Sequence, residues 1–237
     1  MTSQITKKIS GIWRDYTKKK KIICFGNEYK DYVMYCAFIL NNMGYRILVN
    51  DWSNTKELSH VISHNDYSST IRTYRNIDFN FSYDELKGYD YVITYITEYD
   101  TIAGRLDISS YCYMIINSSV YKNSIFKCEN IIRKFKGDII FIIRDRIGSI
   151  GRKYIGKFMI SSDKILCMYE VKFDEYDKEY QYGIDYDGLI EFKYLSDDLC
   201  KALVKSISII SGRSQNIVKK ALKWAKGGKV FDNRFLE

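Results

Sequence analysis

One segment of the 237-residue chain constrains the fold more than any other. Residues 22–53 read IICFGNEYKDYVMYCAFILNNMGYRILVNDWS. An apolar strand, Ile22 to Phe25, is followed by a loop and then by an apolar helical stretch from about Lys30 to Met43. A second strand, Arg46 to Asn50, comes after the turn that ends the helix. This order is that of one βαβ unit, and it predicts a parallel sheet.

The alternation of strands and helices continues along the chain. Runs rich in β-branched and aromatic residues predict buried strands, at 89–96, 111–117, 138–143 and 165–171, with a short strand near 77–81. Spacing of apolar residues predicts helices at 124–135, 147–159, 199–210 and 215–226. Residues 173–192 are acidic and rich in tyrosine, which indicates an exposed loop with a partial helix and a solvated cluster of carboxylates. We therefore expect an α/β protein with a mostly parallel, doubly wound sheet flanked by helices on both faces.

Composition and charge set the domain organisation. With 46% hydrophobic residues the chain has material for one sizeable core, which we place at 22–210. Residues 1–21 carry seven basic and one acidic side chain, and residues 211–237 carry seven basic and two acidic ones, so we treat these ends as basic segments. The six cysteines are scattered, which favours reduced core thiols. The sequence has neither a secretory signal nor a membrane-spanning apolar run, and we expect a cytoplasmic protein.

The loop after the first strand has the length of a phosphate-binding loop but few of its residues. Residues 25–31, FGNEYKD, align without a gap on K-G-G-x-G-K-[ST], the signature of the deviant Walker A loop. Only Gly26 and Lys30 match. Such a loop needs glycines because successive backbone N–H groups must turn inward around phosphate oxygens. Tyr29 takes the place of one glycine, and Asp31 replaces the hydroxyl that would hold Mg²⁺.

The order of these elements over about residues 20–210 resembles the MinD/ParA family of deviant Walker ATPases, a branch of the P-loop NTPases. Residues 42–51, NMGYRILVND, look like the family's helix end and second strand, which places Asp51 at the family's Mg²⁺- and water-proximal aspartate. Residues 89–93, YDYVI, look like the stretch before the Walker B aspartate, a position that Tyr95 occupies here. The family's base-contacting asparagine would fall near Arg144.

The resemblance implies a scaffold kept without its catalytic residues. Phosphoryl transfer depends on positioning and charge neutralisation, so losing the phosphate cradle, the Mg²⁺ hydroxyl and the Walker B aspartate removes most of the transition-state stabilisation. We predict a pseudo-ATPase that needs no cofactor and acts as a bacterial protein-interaction or localisation module, similar to the TadZ/CpaE group of secretion, pilus or partition proteins. In this hypothesis Gly26, Lys30, Asp31 and Asp51 are vestigial nucleotide-site residues. The alternative is a divergent ATPase that binds ATP through Lys30 and Mg²⁺ through Asp31 or Asp51.

Other surfaces suggest partners. A homodimer across the nucleotide face is implied by the resemblance, and Tyr29 and Tyr32 are the interface candidates because aromatic residues anchor many interfaces. The basic ends are candidates for contact with nonspecific nucleic acid or an anionic membrane, through Lys18, Lys19, Lys20 and Lys21 at one end and Lys219, Lys220, Lys223 and Trp224 at the other. The same C-terminal helix can instead dock on the domain through its apolar face. We predict no metal site, because His60 and His64 lack further ligands nearby in sequence.

Overall fold

A computed structural model of the chain describes residues 20–26, 28–62, 69–98, 106–148 and 164–227. The described residues form eight strands, namely β1 Lys20–Phe25, β2 Ile47–Asp51, β3 Ile71–Tyr74, β4 Ile77–Asn80, β5 Tyr91–Ile96, β6 Tyr113–Ser119, β7 Asp138–Arg146 and β8 Ile165–Lys172. They also form six α-helices, namely α1 Lys30–Asn42, α2 Glu57–Val61, α3 Lys122–Lys134, α4 Glu175–Asp187, α5 Asp197–Ser211 and α6 Gln215–Lys226. A short 3₁₀ helix covers Ile108–Ser110.

The eight strands form one sheet in the order β3-β4-β2-β5-β1-β6-β7-β8. Every neighbouring pair is parallel except the β3–β4 hairpin. After β1 the chain builds the side of the sheet that contains β2, β4 and β5, and it then crosses to β6, so the direction of winding reverses beside β1. Ligands of open α/β sheets bind at the carboxyl ends of the strands at such a reversal. The prediction of a mostly parallel, doubly wound sheet is confirmed.

Alternate residues of each strand supply two separate apolar clusters. Ile22 and Cys24 of β1 face one cluster, which also receives α1, α2, α4, α5 and α6. Ile23 and Phe25 face the other cluster, to which α3 contributes. This period of two is what a strand covered on both faces requires. Helices therefore lie on both faces, as predicted, but among the described residues only α3 lies on the second face.

Helix α1 is buried on almost every side. Eleven of its 13 residues are buried, because α5 and α6 cover the side of α1 that points away from the sheet. A helix with apolar residues all round is stable only in such a position. It begins directly after Tyr29, so the packing of α1 fixes the place of Tyr29 relative to β1.

Two expectations need correction. Strand β3, IRTY, was not predicted, because only one of its four residues is buried at this sheet edge and the segment lacks a continuous apolar run. Within residues 173–192, the helix α4 takes up 13 residues, Glu175–Asp187, so the segment is more helical than expected. The carboxylate of Asp174 caps that helix by accepting hydrogen bonds from the N–H groups of Tyr176 and Asp177. Asp177 itself is buried and accepts from Ser196 N and Oγ at 2.8 and 2.6 Å, so it is not part of a solvated cluster.

Some expectations fall outside the described residues. Nearly all of the helix predicted at 147–159 belongs to this group, as do Lys18, Lys19 and His64. In the part of the chain that the structure describes, no helix has the length and apolar character needed to cross a membrane.

Candidate functional site

Gly26 occupies the tight point where the loop leaves the sheet. Its φ of 153° lies in a region that favours glycine, and a Cβ atom at this position would lie 2.6 Å from the carbonyl oxygen of Asn117 on β6. The N–H of Gly26 donates to the carbonyl oxygen of Ile96 at 3.2 Å. The close approach of the loop to β6 therefore requires glycine here whether or not a phosphate binds.

Asp31, at the position of the family's Mg²⁺-binding hydroxyl, is committed to an ion pair inside the protein. Its two carboxylate oxygens lie 3.0 and 3.5 Å from the guanidinium nitrogens of Arg144 on β7, and the two side chains are 0% and 1% exposed. Burial opposes the charged form of Arg144, yet its pKa is held above the ordinary value, chiefly by Asp31. Asp31 and Arg144, which both differ from the family's residue types, are 113 residues apart in sequence and form one buried contact.

Tyr29 fills the space beside this pair. Its ring lies 4.8 Å from the guanidinium of Arg144, and its hydroxyl donates to Asp145 Oδ2 at 3.2 Å. Burial, reinforced by the charge of Asp145, raises the pKa of Tyr29 well above its ordinary value, so the hydroxyl remains a donor. Lys178 of α4 completes the group with an ion pair to Asp145 at 2.5 Å. Tyr29, Arg144 and the carboxylates of Asp31 and Asp145 form a closed network, which fills space that a glycine at position 29 would leave empty.

Helix α4 covers the outer side of the loop. Lys30, at the position of the Walker A lysine, forms an ion pair with Asp185 of α4 at 2.9 Å. Gln181 of the same helix donates a hydrogen bond to the carbonyl oxygen of Glu28. The charge that would bind a phosphate is therefore neutralised by a carboxylate of the same chain.

Tyr95, at the Walker B position, closes the inner side. Its hydroxyl lies 3.0 Å from the carbonyl oxygen of Gly26 and 2.9 Å from Glu57 Oε2. Burial raises the pKa of Glu57 above its ordinary value. The single hydroxyl hydrogen of Tyr95 is therefore within reach of two acceptors, the carbonyl oxygen of Gly26 and the carboxylate of Glu57. The tyrosine ties the loop to α2 at the position where the family has a carboxylate.

Asp51 is buried and used locally. Its carboxylate accepts hydrogen bonds from Ser53 N, Ser53 Oγ and Leu58 N at 3.0, 2.5 and 2.7 Å. Ser53 Oγ in turn accepts from the N–H of Glu57 at 2.8 Å. Together the two residues cap the start of α2. The carboxylate of Asp51 is therefore engaged in hydrogen bonds within the chain.

The crevice at the ends of β1 and β6, where the winding reverses, is small. It measures about 70 Å³ and is lined by Gly26, Tyr29, Asn117 and Ser119 among others. Ligand pockets for cofactor-sized molecules measure about 300 to 1,000 Å³. Nor does any part of the chain that the structure describes bring together three or more histidine, cysteine, aspartate or glutamate side chains that would hold a metal ion.

The interface expectation for Tyr29 and Tyr32 does not fit their burial. Tyr32 is fully buried, and its hydroxyl donates to Ser206 Oγ of α5 at 3.0 Å. Tyr29 is 3% exposed because the network described above encloses it. A partner would reach neither ring without rearranging the loop. Four of the exposed aromatic residues lie on and beside α4, namely Tyr176, Tyr182, Tyr186 and Tyr194.

At the basic ends, several candidate residues make contacts within the chain. Lys20 donates to the carbonyl oxygen of Ile210 at 2.9 Å, and Lys21 forms an ion pair with Glu85 at 2.9 Å. Helix α6 packs on α1 and α5 and buries its residues Val218, Ala221 and Leu222, while Trp224 is half-buried. Of the two alternatives for this helix, its apolar face docks on the domain, whereas Lys219, Lys220 and Lys223 are exposed.

Comparison with solved structures gives the same architecture. A protein described as a plasmid partition protein, from Borrelia burgdorferi B31 and bound to AMPPNP, superposes with a TM-score of 0.55 at 16% identity, over 82% of this chain and 98% of that one. A chain of the MinC:MinD cell division protein complex of Aquifex aeolicus superposes with a TM-score of 0.56 at 12% identity, over 82% of this chain and 96% of that one. The chain has a MinD/ParA-like fold. No protein-family model matches this MinD/ParA-like chain, and no curated protein matches its sequence.

The alignment of Lys30, Tyr95 and Arg144 on functional positions of the MinD/ParA family stays a prediction from the sequence, and it did not include their contacts. Sequence reasoning placed Tyr95 and Arg144 at the Walker B and base positions without finding their partners. The role of α4 in covering the loop was missed, since Lys30 and Asp185 are far apart in sequence. The charge of Arg144 in a run of isoleucines was the available signal, because a buried arginine needs a buried carboxylate.

Proposed function

We propose that this MinD/ParA-like chain is a degenerate member of its fold that does not hydrolyse ATP and that acts as a protein-interaction and localisation module. The observation that carries the proposal is the internal pairing of the loop. Asp31 pairs with Arg144 at 3.0 Å, Lys30 pairs with Asp185 at 2.9 Å, and Tyr29 lies against Arg144. A triphosphate with Mg²⁺ fits this arrangement poorly, because it would have to separate two ion pairs and displace a buried ring.

Nucleotide binding is tested by thermal unfolding with and without Mg·ATP. A ligand at 100 times its Kd stabilises the folded state by about 2.7 kcal/mol. For a chain of this length that corresponds to a rise in Tm of roughly 5 to 11 °C. We expect no rise with Mg·ATP beyond that given by MgCl₂ alone. A nucleotide-dependent rise of several degrees would refute the proposal and support the divergent ATPase.

Hydrolysis is tested separately, with phosphate release measured for the wild type, for Lys30→Ala and for a matched control, Lys136→Ala. Lys136 is an exposed lysine that follows α3 and does not line the crevice. We expect all three proteins to give the background rate. A wild-type rate above background that falls only in Lys30→Ala would show that Lys30 works as a Walker lysine.

The interaction part of the proposal is supported by the surface of α4. Tyr182 and Tyr186 lie one helical turn apart and are 57% and 85% exposed. Tyr176, on the same helix, makes a ring contact with Tyr194, with the two centroids 5.5 Å apart. Tyrosine is enriched where proteins bind one another. We propose that this tyrosine surface mediates a homodimer that forms without nucleotide.

Sedimentation velocity of the wild type tests the dimer. In Tyr182→Ser combined with Tyr186→Ser we expect the dimer to dissociate at concentrations where the wild type is dimeric. The matched control is Tyr121→Ser combined with Phe126→Ser, which removes exposed aromatic residues at α3. A monomeric wild type, or equal loss of dimer in both variants, would contradict the assignment to α4.

A second candidate function, binding of nucleic acid, is supported by a basic groove between α5 and α6. The groove measures about 340 Å³, and Asp197 is the one acidic residue in its lining. Five lysines line it as well, namely Lys201, Lys205, Lys219, Lys223 and Lys226. Because the apolar face of α6 is buried, the exposed lysines support an electrostatic contact with phosphates over insertion into a bilayer.

Fluorescence anisotropy with a DNA duplex of random sequence tests this candidate over a range of salt concentrations. Lys219→Glu combined with Lys223→Glu should reduce the magnitude of the negative slope of log K against log salt by about 1.8, since each phosphate contact contributes about 0.9. Lys127→Glu combined with Lys136→Glu is the matched control. Unchanged binding in the first variant would remove the groove from consideration, and co-sedimentation with anionic vesicles would report a membrane role instead.

A further inference from the structure

A cavity of about 230 Å³ lies on the second face of the sheet, in the half that α3 leaves uncovered. Strands β2 and β5 form its floor, and two loops form its walls. Its main lining residues are Leu48, Trp52, Tyr83, Val92, Leu106 and Tyr111. An apolar cavity of about 150 Å³ is enough for a benzene ring. The cavity therefore has room for a fused pair of rings but is too small for a whole nucleotide.

Among the buried side chains that line this cavity, Asn50 and Tyr111 have hydrogen-bond partners, and Trp52 has none within the described residues. Asn50 donates to Thr94 Oγ1 at 3.4 Å and accepts from Asn80 at 3.1 Å, and the hydroxyl of Tyr111 lies 2.9 Å from Thr94 Oγ1. Trp52 is 9% exposed, and its Nε1–H has no hydrogen-bond partner among the described residues. A buried donor without an acceptor is costly, by about 1–3 kcal/mol. An acceptor supplied by a ligand would remove that cost.

The walls are aromatic and held in place. The rings of Trp52 and Tyr83 make an edge contact with centroids 5.3 Å apart. Asn80 fixes the loop that carries Tyr83, because it donates to the carbonyl oxygen of Asp84 at 3.0 Å and accepts from the N–H of Ser82 at 3.0 Å. A cavity whose walls are set by buried hydrogen bonds loses little entropy when a flat ligand enters.

The charge at the mouth is negative. Asp84 and Asp107 are exposed carboxylates of the lining, while Lys21 and Glu85 neutralise one another through their ion pair at 2.9 Å. Hydrogen bonds from Ser109 lower the pKa of Asp107 below its ordinary value, so this group is ionised at neutral pH. Such a mouth repels anionic ligands and attracts cations and N–H donors.

We propose that this cavity binds a planar, neutral or cationic nitrogen heterocycle the size of a purine base. A ring nitrogen of the ligand accepts the hydrogen bond from Trp52 Nε1–H. Exocyclic amino groups point to the carboxylates of Asp84 and Asp107. The ring lies between the apolar floor and Tyr83. The cavity lies on the face of the sheet opposite α1, so this site is independent of the loop 26–31.

Three bicyclic probes of similar size separate the parts of the proposal. Adenine has acceptor nitrogens and an amino group, indole lacks an acceptor, and urate is an anion at neutral pH. Saturation-transfer NMR and calorimetry with the full chain should show that adenine binds. Indole should bind about tenfold more weakly, because it leaves the Trp52 donor unsatisfied, and urate should not bind. Absence of adenine binding, or urate binding equal to that of adenine, would overturn the proposal.

Variants locate the binding to this cavity. In ¹H–¹⁵N spectra adenine should shift the indole N–H signal that disappears in Trp52→Phe. This substitution should weaken adenine about tenfold and leave indole binding nearly unchanged, because it removes the donor and keeps an apolar ring. Tyr83→Ala, at a half-exposed wall residue, should weaken both probes, whereas Tyr121→Ala, at a residue that is 73% exposed, should weaken neither. Adenine affinity unchanged in both Trp52→Phe and Tyr83→Ala would overturn the assignment.

Discussion

The buried pair Asp31–Arg144 gives the sharpest test of how the loop is held. Both side chains are almost fully buried and lie 3.0 Å apart. Removing one partner leaves an uncompensated charge inside the protein, which costs about 3–5 kcal/mol. We therefore expect Asp31→Leu and Arg144→Met each to lower the free energy of unfolding by about that amount.

The surroundings of the pair predict which substitution costs more. Arg144→Met also removes the contact between the guanidinium and the ring of Tyr29 at 4.8 Å, and such a desolvated contact contributes about 2 kcal/mol. After Asp31→Leu, in contrast, Arg144 keeps Asp145 nearby as a partial counter-charge. Arg144→Met should therefore cost more than Asp31→Leu. The double variant should cost less than the sum of the single variants by about 2–3 kcal/mol, because no buried charge is left without its partner.

Urea unfolding followed by circular dichroism measures these differences. With an m value of about 3 kcal/mol/M, a loss of 3 kcal/mol lowers the urea midpoint by about 1 M. The control is Arg133→Met, which removes the same side chain from an exposed pair with Glu129 and should cost at most about 0.5 kcal/mol. Single variants that cost no more than this control, or a double variant that equals the sum of the singles, would refute the reasoning.

Three further outcomes follow from individual sites. Burial raises the pKa of Glu57 in the folded state. The contribution of this group to stability therefore grows as the pH falls toward about 4, and it is lost as the pH rises through the raised pKa. Glu57→Gln should flatten this part of a plot of urea midpoint against pH. Gly26→Ala should lower stability by about 1–3 kcal/mol because its Cβ would meet a carbonyl oxygen, whereas Gly183→Ala, with open space inside α4, should raise stability by about 0.5–1 kcal/mol in the same urea assay. Thiol titration of the native protein should label the exposed Cys112 rapidly, and Cys128, whose pKa burial raises to about 12, only after unfolding.

The sequence was most informative where a local pattern and the tertiary environment agree. The βαβ unit was predicted to within a residue or two because α1 and its flanking strands are buried on all sides and consist of continuous apolar runs. Helix α4 shows the opposite case. Its buried positions, Asp177, Tyr180, Gln181 and Ile184, have the spacing of one helical face, but two of the four are polar. Apolar periodicity cannot detect a face that is buried through hydrogen bonds.

The sequence showed which residues of the family's signature are missing from this chain, but it did not show which side chains pair with one another in their place. Sequence spacing singled out Lys30, Asp31 and Tyr95 as candidate site residues. Each of them has a partner that lies far away in the chain, as with the 113 residues between Asp31 and Arg144. A single sequence carries no information about such pairings unless a residue type demands one. Only Arg144, a charge inside an apolar strand, made that demand.

Because the side chains of the loop are paired, a single substitution toward the deviant Walker signature is not expected to create a phosphate site. Asp31→Thr introduces a hydroxyl, but it leaves Arg144 buried without its carboxylate. Tyr29→Gly introduces a glycine, but it removes the ring that covers the guanidinium and leaves Asp145 with one partner fewer. We expect each of these substitutions to destabilise the fold before it creates any room for a nucleotide. The loop, β7 and α4 would have to change together, because their side chains pack and pair with one another as part of the structural core.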